Sequence, residues 1–190
     1  MRAFYEAFWA DAPQDPEPYE WERRRALLLA EVQPSDRVLD LGCGAGRFLG
    51  LLEDAVGVEI SAEAAERARA NVPGADVRLI EDDSLPVGHG EFDLVWCSET
   101  LEHIPDVGAT LSEIRRVLRP GGRALITVPY HSRLSAARIA LTQFEAHFDP
   151  LGQHVRFFTR RSLLTALEFA GFDAQVRRDG PFLVARAERV

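Results

Sequence analysis

The sequence predicts an α/β fold in which helices cover both faces of a doubly wound, mostly parallel sheet. From residue 37 onward, short apolar runs alternate with segments of helical periodicity, which indicates right-handed βαβ units. The runs at 37–41, 92–97 and 123–128 are almost continuously apolar, as strands covered on both faces are. Near the end, an Asp-Gly pair at 179–180 separates two strand patterns. That pair predicts a hairpin, so the sheet is expected to end in antiparallel strands.

The remaining elements follow in chain order. The parallel strands are predicted at 37–41, 55–60, 76–80, 92–97 and 123–128. Helices are expected between them at 46–52, 62–71 and 107–118; Ser61 suits the N-cap of the second, and the Pro-Gly-Gly at 120–122 ends the third. The last helix spans about 159–170 and stops at Gly171.

Two segments lie outside this alternation. The first 35 residues combine aromatic side chains with a proline cluster, and they predict a short helix, a stiff loop and a second helix at about 19–32. A polar and aromatic stretch follows the fifth strand. We therefore divide a single domain into an N-terminal cap (1–35), a core (36–130), an excursion (129–158) and a terminal helix with a hairpin (159–190).

Composition restricts the function. The formal charge is −8, from 22 basic and 30 acidic residues, and every basic residue is arginine. The absence of lysine excludes Schiff-base chemistry, and the acidic balance disfavours nonspecific nucleic-acid binding. We interpret the arginine clusters at 23–25, 115–119, 156–161 and 177–178 as solvated faces. No apolar run is long enough to span a bilayer. Neither cysteine has the spacing of a zinc site, so we expect no metal and a reducing, cytoplasmic location.

Acidic residues mark the strand ends, where an open α/β sheet binds its ligand. Strand one ends at Asp40, strand two at Glu59, strand three at Glu81-Asp82-Asp83 and strand four at Ser98-Glu99, and no strand end carries Lys or Arg. The loop after strand one contains Gly42, Gly44 and Gly46. A dinucleotide site would need a glycine where Arg47 stands, and a P-loop would need a lysine. Such an edge favours a cationic ligand with hydroxyl groups, as in S-adenosylmethionine, and Glu59 could accept from its ribose. The alternative for Glu59 is a favourable contact with the next helix dipole.

Four motifs in order resemble those of class I S-adenosylmethionine-dependent methyltransferases, particularly the small-molecule branch that includes ubiquinone and menaquinone biosynthesis enzymes. They are VLDLGCGAGRF (38–48), VGVEIS (56–61), LPVGHGEFDLVWCSETLEHIPD (85–106) and VLRPGGRALITVP (117–129). The resemblance implies a Rossmann-like sheet of seven strands in the order 3-2-1-4-5-7-6, with strand seven antiparallel. It also implies S-adenosylmethionine as cofactor and a small-molecule methyl acceptor.

The resemblance assigns a role to each matching position. The loop glycines admit the methionine part, Asp40 orders its ammonium group, Glu59 holds the ribose, and Ser98 and Glu99 border the sulfonium. Either Glu81 or Asp82 contacts adenine, because glutamate stands at 81 where aspartate is usual. The expected cofactor-binding set is Asp40, Gly42, Cys43, Gly44, Gly46, Glu59, Ile60, Ser61, Glu81, Asp82, Asp83, Ser98 and Glu99.

Methyl transfer needs a general base only for an acidic acceptor such as a hydroxyl group. His103 and His131, just past strands four and five, are the candidate catalytic residues, although His103 could instead order its loop. Aromatic side chains of the cap and excursion could wall the acceptor and form a lid: Tyr5, Trp9, Tyr19, Tyr130, Phe144 and Phe148. Three other interpretations stay open, namely a cofactor-binding sensor without turnover, an RNA methyltransferase and, disfavoured by Arg47, a nicotinamide-dependent dehydrogenase.

Overall fold

A computed structural model describes residues 2–82, 84–130, 132–142 and 156–190. Its helices are α1 (Arg2–Asp11), α2 (Trp21–Glu31), α3 (Ala62–Asn71), α4 (Val107–Val117), α5 (Arg133–Thr142) and α6 (Arg160–Phe169). Its strands are β1 (Arg37–Leu41), β2 (Asp54–Glu59), β3 (Asp76–Leu79), β4 (Phe92–Ser98), β5 (Leu118–Pro129), β6 (Phe172–Asp179) and β7 (Phe182–Arg189). In these ranges no helix has the length and apolar character that crossing a membrane requires.

The seven strands form one sheet in the order β3-β2-β1-β4-β5-β7-β6. Strands β1 to β5 pair with one another in parallel, and β7 runs antiparallel to both β5 and β6. This order and the terminal hairpin confirm the predicted fold. Asp40 of β1 lies in register with Gly57 of β2 and with Trp96 of β4. The register therefore brings the ends of β1, β2 and β4 to one edge of the sheet.

Two local predictions differ from the structure, namely the helix at 46–52 and the helix end before Pro-Gly-Gly. The helix expected at 46–52 is only a 3-10 turn at Leu49–Leu51, because Gly46 adopts a left-handed φ of +86° and β2 begins soon afterwards, at Asp54. The excursion, for which the sequence analysis predicted no particular element, holds α5. The fifth strand also begins at Leu118, which pairs with Phe92, so the Pro-Gly-Gly lies within β5 and the preceding helix ends earlier, at Val117.

Apolar side chains from both faces of the sheet form the core. One face packs against α4 and α6 through residues such as Leu111 and Leu163, which are fully buried. On the other face, Leu28 of α2 packs beside Trp96 and Phe48. Burying a large apolar side chain contributes about 1.5–3 kcal/mol, so α2 is firmly held against the sheet.

A buried ion-pair network also fixes α2. Arg123 of β5 donates to Asp36 Oδ2 at 2.5 Å and to Glu31 Oε1, at the end of α2, at 2.7 Å. Asp36 in turn accepts from the Gln33 backbone N–H at 2.7 Å, and the hydrogen bond from Arg123 helps to lower the pKa of Asp36 against the opposing effect of burial. The network ties the start of β1 to α2, and it thereby positions the side chains that α2 sends towards the edge of the sheet.

Candidate active site

The glycine loop links the ends of three strands. Gly42 and Gly44 adopt φ values of +77° and +53°, a region that favours glycine. The backbone N–H of Gly42 donates to Val58 O at 2.9 Å, and that of Gly44 donates to Glu59 Oε2 at 3.0 Å. A Cβ atom on Gly42 would lie 2.6 Å from Thr100 Oγ1, so only glycine permits this approach between the loop and the chain after β4.

Substituting Gly42 with alanine should destabilise the protein through both strain and a clash. A left-handed non-glycine residue costs on the order of 1–3 kcal/mol, and the contact with Thr100 adds to this cost. Gly74→Ala is a matched control, because Gly74 has a φ of +86° but no described atom would lie within 4 Å of an added Cβ. Chemical denaturation should show a larger loss of unfolding free energy for Gly42→Ala than for Gly74→Ala. Equal losses would contradict the close packing of the loop.

Glu59 is held rigidly at the end of β2. It is 6% exposed, and its carboxylate accepts from the backbone N–H groups of Gly44, Ile60 and Ser61 at 3.0, 2.7 and 3.1 Å. Burial raises the pKa of Glu59, whereas these three hydrogen bonds oppose the rise. The carboxylate thus connects the glycine loop to the start of α3, where Ser61 is the N-cap residue as predicted.

Three further carboxyl groups surround the loop. Asp40 and Glu102 are 2% and 1% exposed, and Glu99 lies beside them with a strained φ of +52°. Within the described ranges, Asp40 Oδ2 and both oxygens of Glu102 are buried without a hydrogen-bond partner. Buried polar atoms are nearly always paired, so these orphaned oxygens indicate that a ligand completes the site.

Burial and mutual repulsion make these groups hold their protons. Burial, with a smaller effect of the Glu59 charge, raises the pKa of Asp40 to about 7. Burial likewise raises the pKa of Glu99 to about 7, and burial together with Glu99 raises that of Glu102 to about 9. A bound cation would favour the ionised form of each group, so binding of a cationic ligand should release protons.

This proton uptake predicts the pH dependence of stability. Between about pH 4 and pH 9 the folded state binds more protons than the unfolded state, so unfolding becomes easier as pH rises. The stabilisation is full below the ordinary carboxyl pKa of 3.8 and is lost as pH passes the raised value of about 7 for Asp40. Melting temperatures measured from about pH 5 to 9 should therefore fall for the wild type and fall less for Asp40→Asn, since one pKa unit is about 1.4 kcal/mol. An equal fall in melting temperature with pH for the wild type and for Asp40→Asn would contradict this account.

Arg24 brings a cation into this acidic site, contrary to the sequence-based interpretation of its cluster as a solvated face. It is 5% exposed; Nη1 donates to Ser98 Oγ at 3.0 Å and Nε to Tyr19 O at 2.8 Å. The guanidinium lies 5.4 Å from the centroid of Phe48 and 5.8 Å from that of Phe182. Burial lowers the pKa of Arg24, and the charges of Glu99, Glu102 and Asp40 oppose that effect. The strand ends themselves carry no cation, but α2 supplies one.

An open cavity of about 530 Å³ begins at the glycine loop. Loop residues, the end of β4 and the cap form its wall: Phe8, Trp9, Asp11, Ala12, Pro13, Pro16, Glu17, Pro18, Arg24, Asp40, Gly42, Cys43, Gly44, Ala45, Arg47, Phe48, Trp96, Ser98 and Glu99. It therefore places acidic groups and Arg24 around one space. This is the pattern that an amino acid, with its ammonium and carboxylate, requires.

The third strand end is more open. Glu81 and Asp82 are exposed, and Asp82 Oδ1 accepts from the backbone N–H and hydroxyl of Ser84 at 2.8 and 2.6 Å. The Asp82 side chain is thus engaged in its own turn, whereas Glu81 has no hydrogen bond among the described residues. Asp83 lies outside the described residues.

Of the candidate catalytic residues, the structure describes His103. It lies in a 3-10 turn after β4, with Nε2 3.7 Å from Glu102 Oε1 and its ring 5.9 Å, centroid to centroid, from that of Tyr5. His131 lies outside the described residues, as do Phe144 and Phe148. In the ranges that the structure covers, no three acidic, histidine or cysteine side chains gather as metal ligands.

Other predicted side chains lie apart from the site or support it. Cys43 is buried against the position of Gly57, and Gly46 packs on Ala68. Tyr19 is 64% exposed over Phe182, and Tyr130 stacks on Arg178 at 4.5 Å, so neither faces the described cavity. Sequence reasoning missed Arg24 and Glu102. Only Glu102 had a local signal, because it follows Glu99 by one helical turn.

Comparison with known proteins identifies the family. The sequence profile described as "Methyltransferase domain" matches residues 9–175. The chain belongs to the methyltransferase domain family. The recognised resemblance is therefore confirmed, and membership implies S-adenosylmethionine as the cofactor. The orphaned carboxyl oxygens, the glycine cradle and Arg24 fit that cofactor.

Several curated methyltransferases are similar to this domain. The 27-O-demethylrifamycin SV methyltransferase of Amycolatopsis mediterranei is 31% identical over 80% of the chain and 68% of that protein. The chloroplastic tocopherol O-methyltransferase of Arabidopsis thaliana is 36% identical over 60% of the chain and 36% of its own length. The ubiquinone biosynthesis O-methyltransferase of Thiobacillus denitrificans is 32% identical over 54% of the chain and 46% of its own length. The chain thus spans between about a third and two thirds of these relatives.

Solved structures support the same fold. A methyltransferase from Thermotoga maritima superimposes with a TM-score of 0.74 at 23% identity, covering 100% of both chains. A methyltransferase from Aquifex aeolicus gives 0.70 at 18% identity, covering 98% of both chains. At these identities the likeness concerns the fold alone, and it agrees with the Rossmann-like sheet described above.

Proposed function

We propose that this chain is an S-adenosylmethionine-dependent methyltransferase that transfers a methyl group to a small-molecule acceptor by in-line displacement. The observation that carries the proposal is the buried, unpaired carboxyl oxygen of Asp40 at the glycine loop, with Glu99 and Arg24 lining the same cavity. This combination complements a ligand that has two cationic groups, one carboxylate and no phosphate. Names of similar proteins that include "O-methyltransferase" favour an oxygen acceptor.

The cofactor's amino-acid end is proposed to bind in the cavity. Asp40 lies under the glycine loop and would attract the ammonium group, while Ser98 and Glu99 would border the sulfonium. Arg24 would bind the carboxylate, because Nη2 makes no hydrogen bond among the described residues while Nε and Nη1 are engaged. The rigid hold of Ser98 and Tyr19 on Arg24 pre-organises this contact and lowers its entropic cost.

The nucleoside end is proposed to bind along the ends of β2 and β3. Glu59 would accept from the ribose, since Oε2 accepts only from Gly44 and keeps a lone pair available, whereas Oε1 already accepts from Ile60 and Ser61. Glu81, rather than Asp82, would accept from the adenine amino group, because Ser84 already engages the Asp82 carboxylate. The backbone N–H of Asp82 would face the ring, while Cys43, Gly46, Ile60, Ser61 and Asp83 complete the proposed set.

Bound S-adenosylmethionine supplies a methyl group on a good leaving group that needs no proton. The chain's contribution is therefore alignment and exclusion of water, which can lower a barrier by about 7–11 kcal/mol. For a hydroxyl acceptor, His103 would take the proton, and the adjacent Glu102, once the bound cationic cofactor has favoured its ionised form, would stabilise the resulting imidazolium. His131 stays the second candidate for this base. The excursion at 129–158 and the cap at 1–35 are proposed to wall the acceptor.

Transfer of label from methyl-labelled S-adenosylmethionine tests the proposal. The protein is incubated with the small-molecule fraction and, separately, with the RNA fraction of a cell extract. We expect label in the small-molecule fraction only, with little transfer by His103→Ala. Label in RNA would favour an RNA methyltransferase, and cofactor binding without any transfer would favour a sensor. The two free cysteines fit the cytoplasmic location that we propose for this reaction.

A further inference from the structure

Helix α1 lies over the cleft, and none of its residues is fully buried. Phe4 and Phe8 are 40% and 44% exposed, although Phe8 also lines the cavity. The apolar contacts that hold α2 and α4 are thus largely missing from α1. A segment with few buried contacts opens at low free-energy cost, so the polar contacts of α1 decide where it lies.

Glu6 supplies the strongest of these contacts. Its carboxylate accepts from the backbone N–H of Ala62 at 2.8 Å, from the Ser61 hydroxyl at 2.8 Å and from the backbone N–H of Glu63 at 3.2 Å. The first N–H groups of a helix have no partner within it, and its positive end attracts an anion. Glu6 therefore caps α3 from another helix, and these hydrogen bonds, led by that of Ala62, lower the pKa of Glu6.

Arg2 provides a second anchor on the same side. Nη1 donates to Ile60 O at 3.0 Å, and Nη2 donates to Ile80 O. These carbonyl groups follow the last residues of β2 and β3. Helix α1 consequently bridges the start of α3 and the two strand ends that are proposed to hold the nucleoside.

This placement brings two aromatic side chains to the site. The ring of Tyr5 packs edge-on against His103, and its hydroxyl is buried without a partner among the described residues. The ring of Tyr5 therefore lies beside the turn that follows β4. The ring of Trp9 lies 3.0 Å from where a Cβ of Gly44 would be. Movement of α1 would uncover the glycine loop at Trp9 and the His103 side chain at Tyr5.

We propose that Glu6 is a positioning residue whose cap on α3 latches α1 over the bound cofactor, so that breaking the cap lets the demethylated cofactor escape. The inference rests on the proposed function, because it concerns the same cleft. Glu6 acts through Tyr5 and Trp9, which cover the ligand, and it does not itself touch the reacting atoms.

Dissociation of S-adenosylhomocysteine from the full chain tests the latch. Stopped-flow tryptophan fluorescence with Glu6→Gln, Glu6→Ala and Glu6→Lys should give dissociation rates that increase in that order. We expect roughly a tenfold increase for Glu6→Ala, the loss typical of one charge-assisted hydrogen bond. Glutamine keeps one acceptor oxygen and should retain part of the latch, whereas lysine repels the helix terminus.

Two exposed glutamates provide matched controls, namely Glu22→Ala on α2 and Glu66→Ala on α3. Both should keep the wild-type dissociation rate. Melting temperatures without ligand separate latch opening from unfolding, because a latch variant changes the rate at temperatures where the fold is intact.

The outcomes are distinguishable. Equal dissociation rates in wild type and all Glu6 variants would overturn the latch and leave the proposed function standing. Faster association with tighter binding in Glu6→Ala would also overturn it, since α1 would then exclude the cofactor. A wild-type protein that binds neither S-adenosylmethionine nor S-adenosylhomocysteine would overturn the proposed function and the latch together.

Discussion

Replacing Glu59 with alanine is expected to weaken binding of S-adenosylmethionine by about a hundredfold or more. In the proposed complex its carboxylate accepts from the ribose, and a hydrogen bond to a charged group contributes about 1.5–3 kcal/mol. The substitution also removes the acceptor that holds the backbone of Gly44, Ile60 and Ser61. Both effects act in the same direction, so this substitution should have the largest effect of any in the site. Isothermal calorimetry measures it.

A ligand lacking one hydroxyl separates the two effects of Glu59. The 2′-deoxy analogue of S-adenosylhomocysteine should bind less well to the wild type but lose less affinity on Glu59→Ala than the parent compound does. If both ligands lose the same affinity, Glu59 only organises the loop and does not contact ribose. Unchanged binding of the parent compound would remove Glu59 from the site altogether.

Replacing Arg24 with glutamine is expected to weaken binding of S-adenosylhomocysteine roughly tenfold to a hundredfold. The reason is the loss of a charge-assisted bond to the amino-acid carboxylate in a buried setting. The same variant should bind 5′-methylthioadenosine, which lacks the amino-acid part, as the wild type does. Equilibrium binding of both ligands to both proteins measures the difference.

Arg47 offers the control for this comparison. It also lines the cavity, but its Nε is paired with Asp15 at 2.6 Å on the outer side. Arg47→Gln should therefore change the affinity for neither ligand by more than about threefold. A loss of 5′-methylthioadenosine binding in Arg24→Gln would contradict the carboxylate role, because it would show general damage to the cleft.

The fold could be predicted because its signals are local. Continuous apolar runs marked β1, β4 and β5, and the Asp-Gly pair marked the β6–β7 hairpin. The helix predicted after the glycine loop was wrong, and the reason for this is also local. Its residues suit a helix, but the packing of Gly46 on Ala68 and the short path into β2 leave room for one 3-10 turn.

The residues of the site likewise divide into those that the sequence could place and those that it could not. Asp40, the loop glycines and Glu59 belong to motifs, so their positions at the strand ends follow from the order of elements. Arg24 and Glu6 could not be placed from the sequence, because each reaches the site through tertiary contacts of the cap. Arg24 bonds to Ser98, 74 positions away, and Glu6 to Ala62, 56 positions away. Nothing in a run of three arginines says that the middle one is buried.

One electrostatic feature accounts for the site as a whole. The carboxyl groups of Asp40, Glu99 and Glu102 are crowded at one edge of the sheet, and their burial leaves them partly protonated near neutral pH. Crowding these carboxyl groups destabilises the site when no cationic ligand is bound. Binding of a cation stabilises it. A dinucleotide would instead place its negatively charged phosphates beside the same carboxyl groups. The affinities for S-adenosylmethionine and for a dinucleotide should therefore differ strongly.

Calorimetric titration of the full chain with S-adenosylmethionine and, separately, with NAD is the most direct test of this account. It predicts saturable binding of S-adenosylmethionine with release of protons near neutral pH, and no detectable heat with NAD. Saturable binding of NAD with none of S-adenosylmethionine would contradict the central claim that the acidic cleft selects a cationic nucleoside.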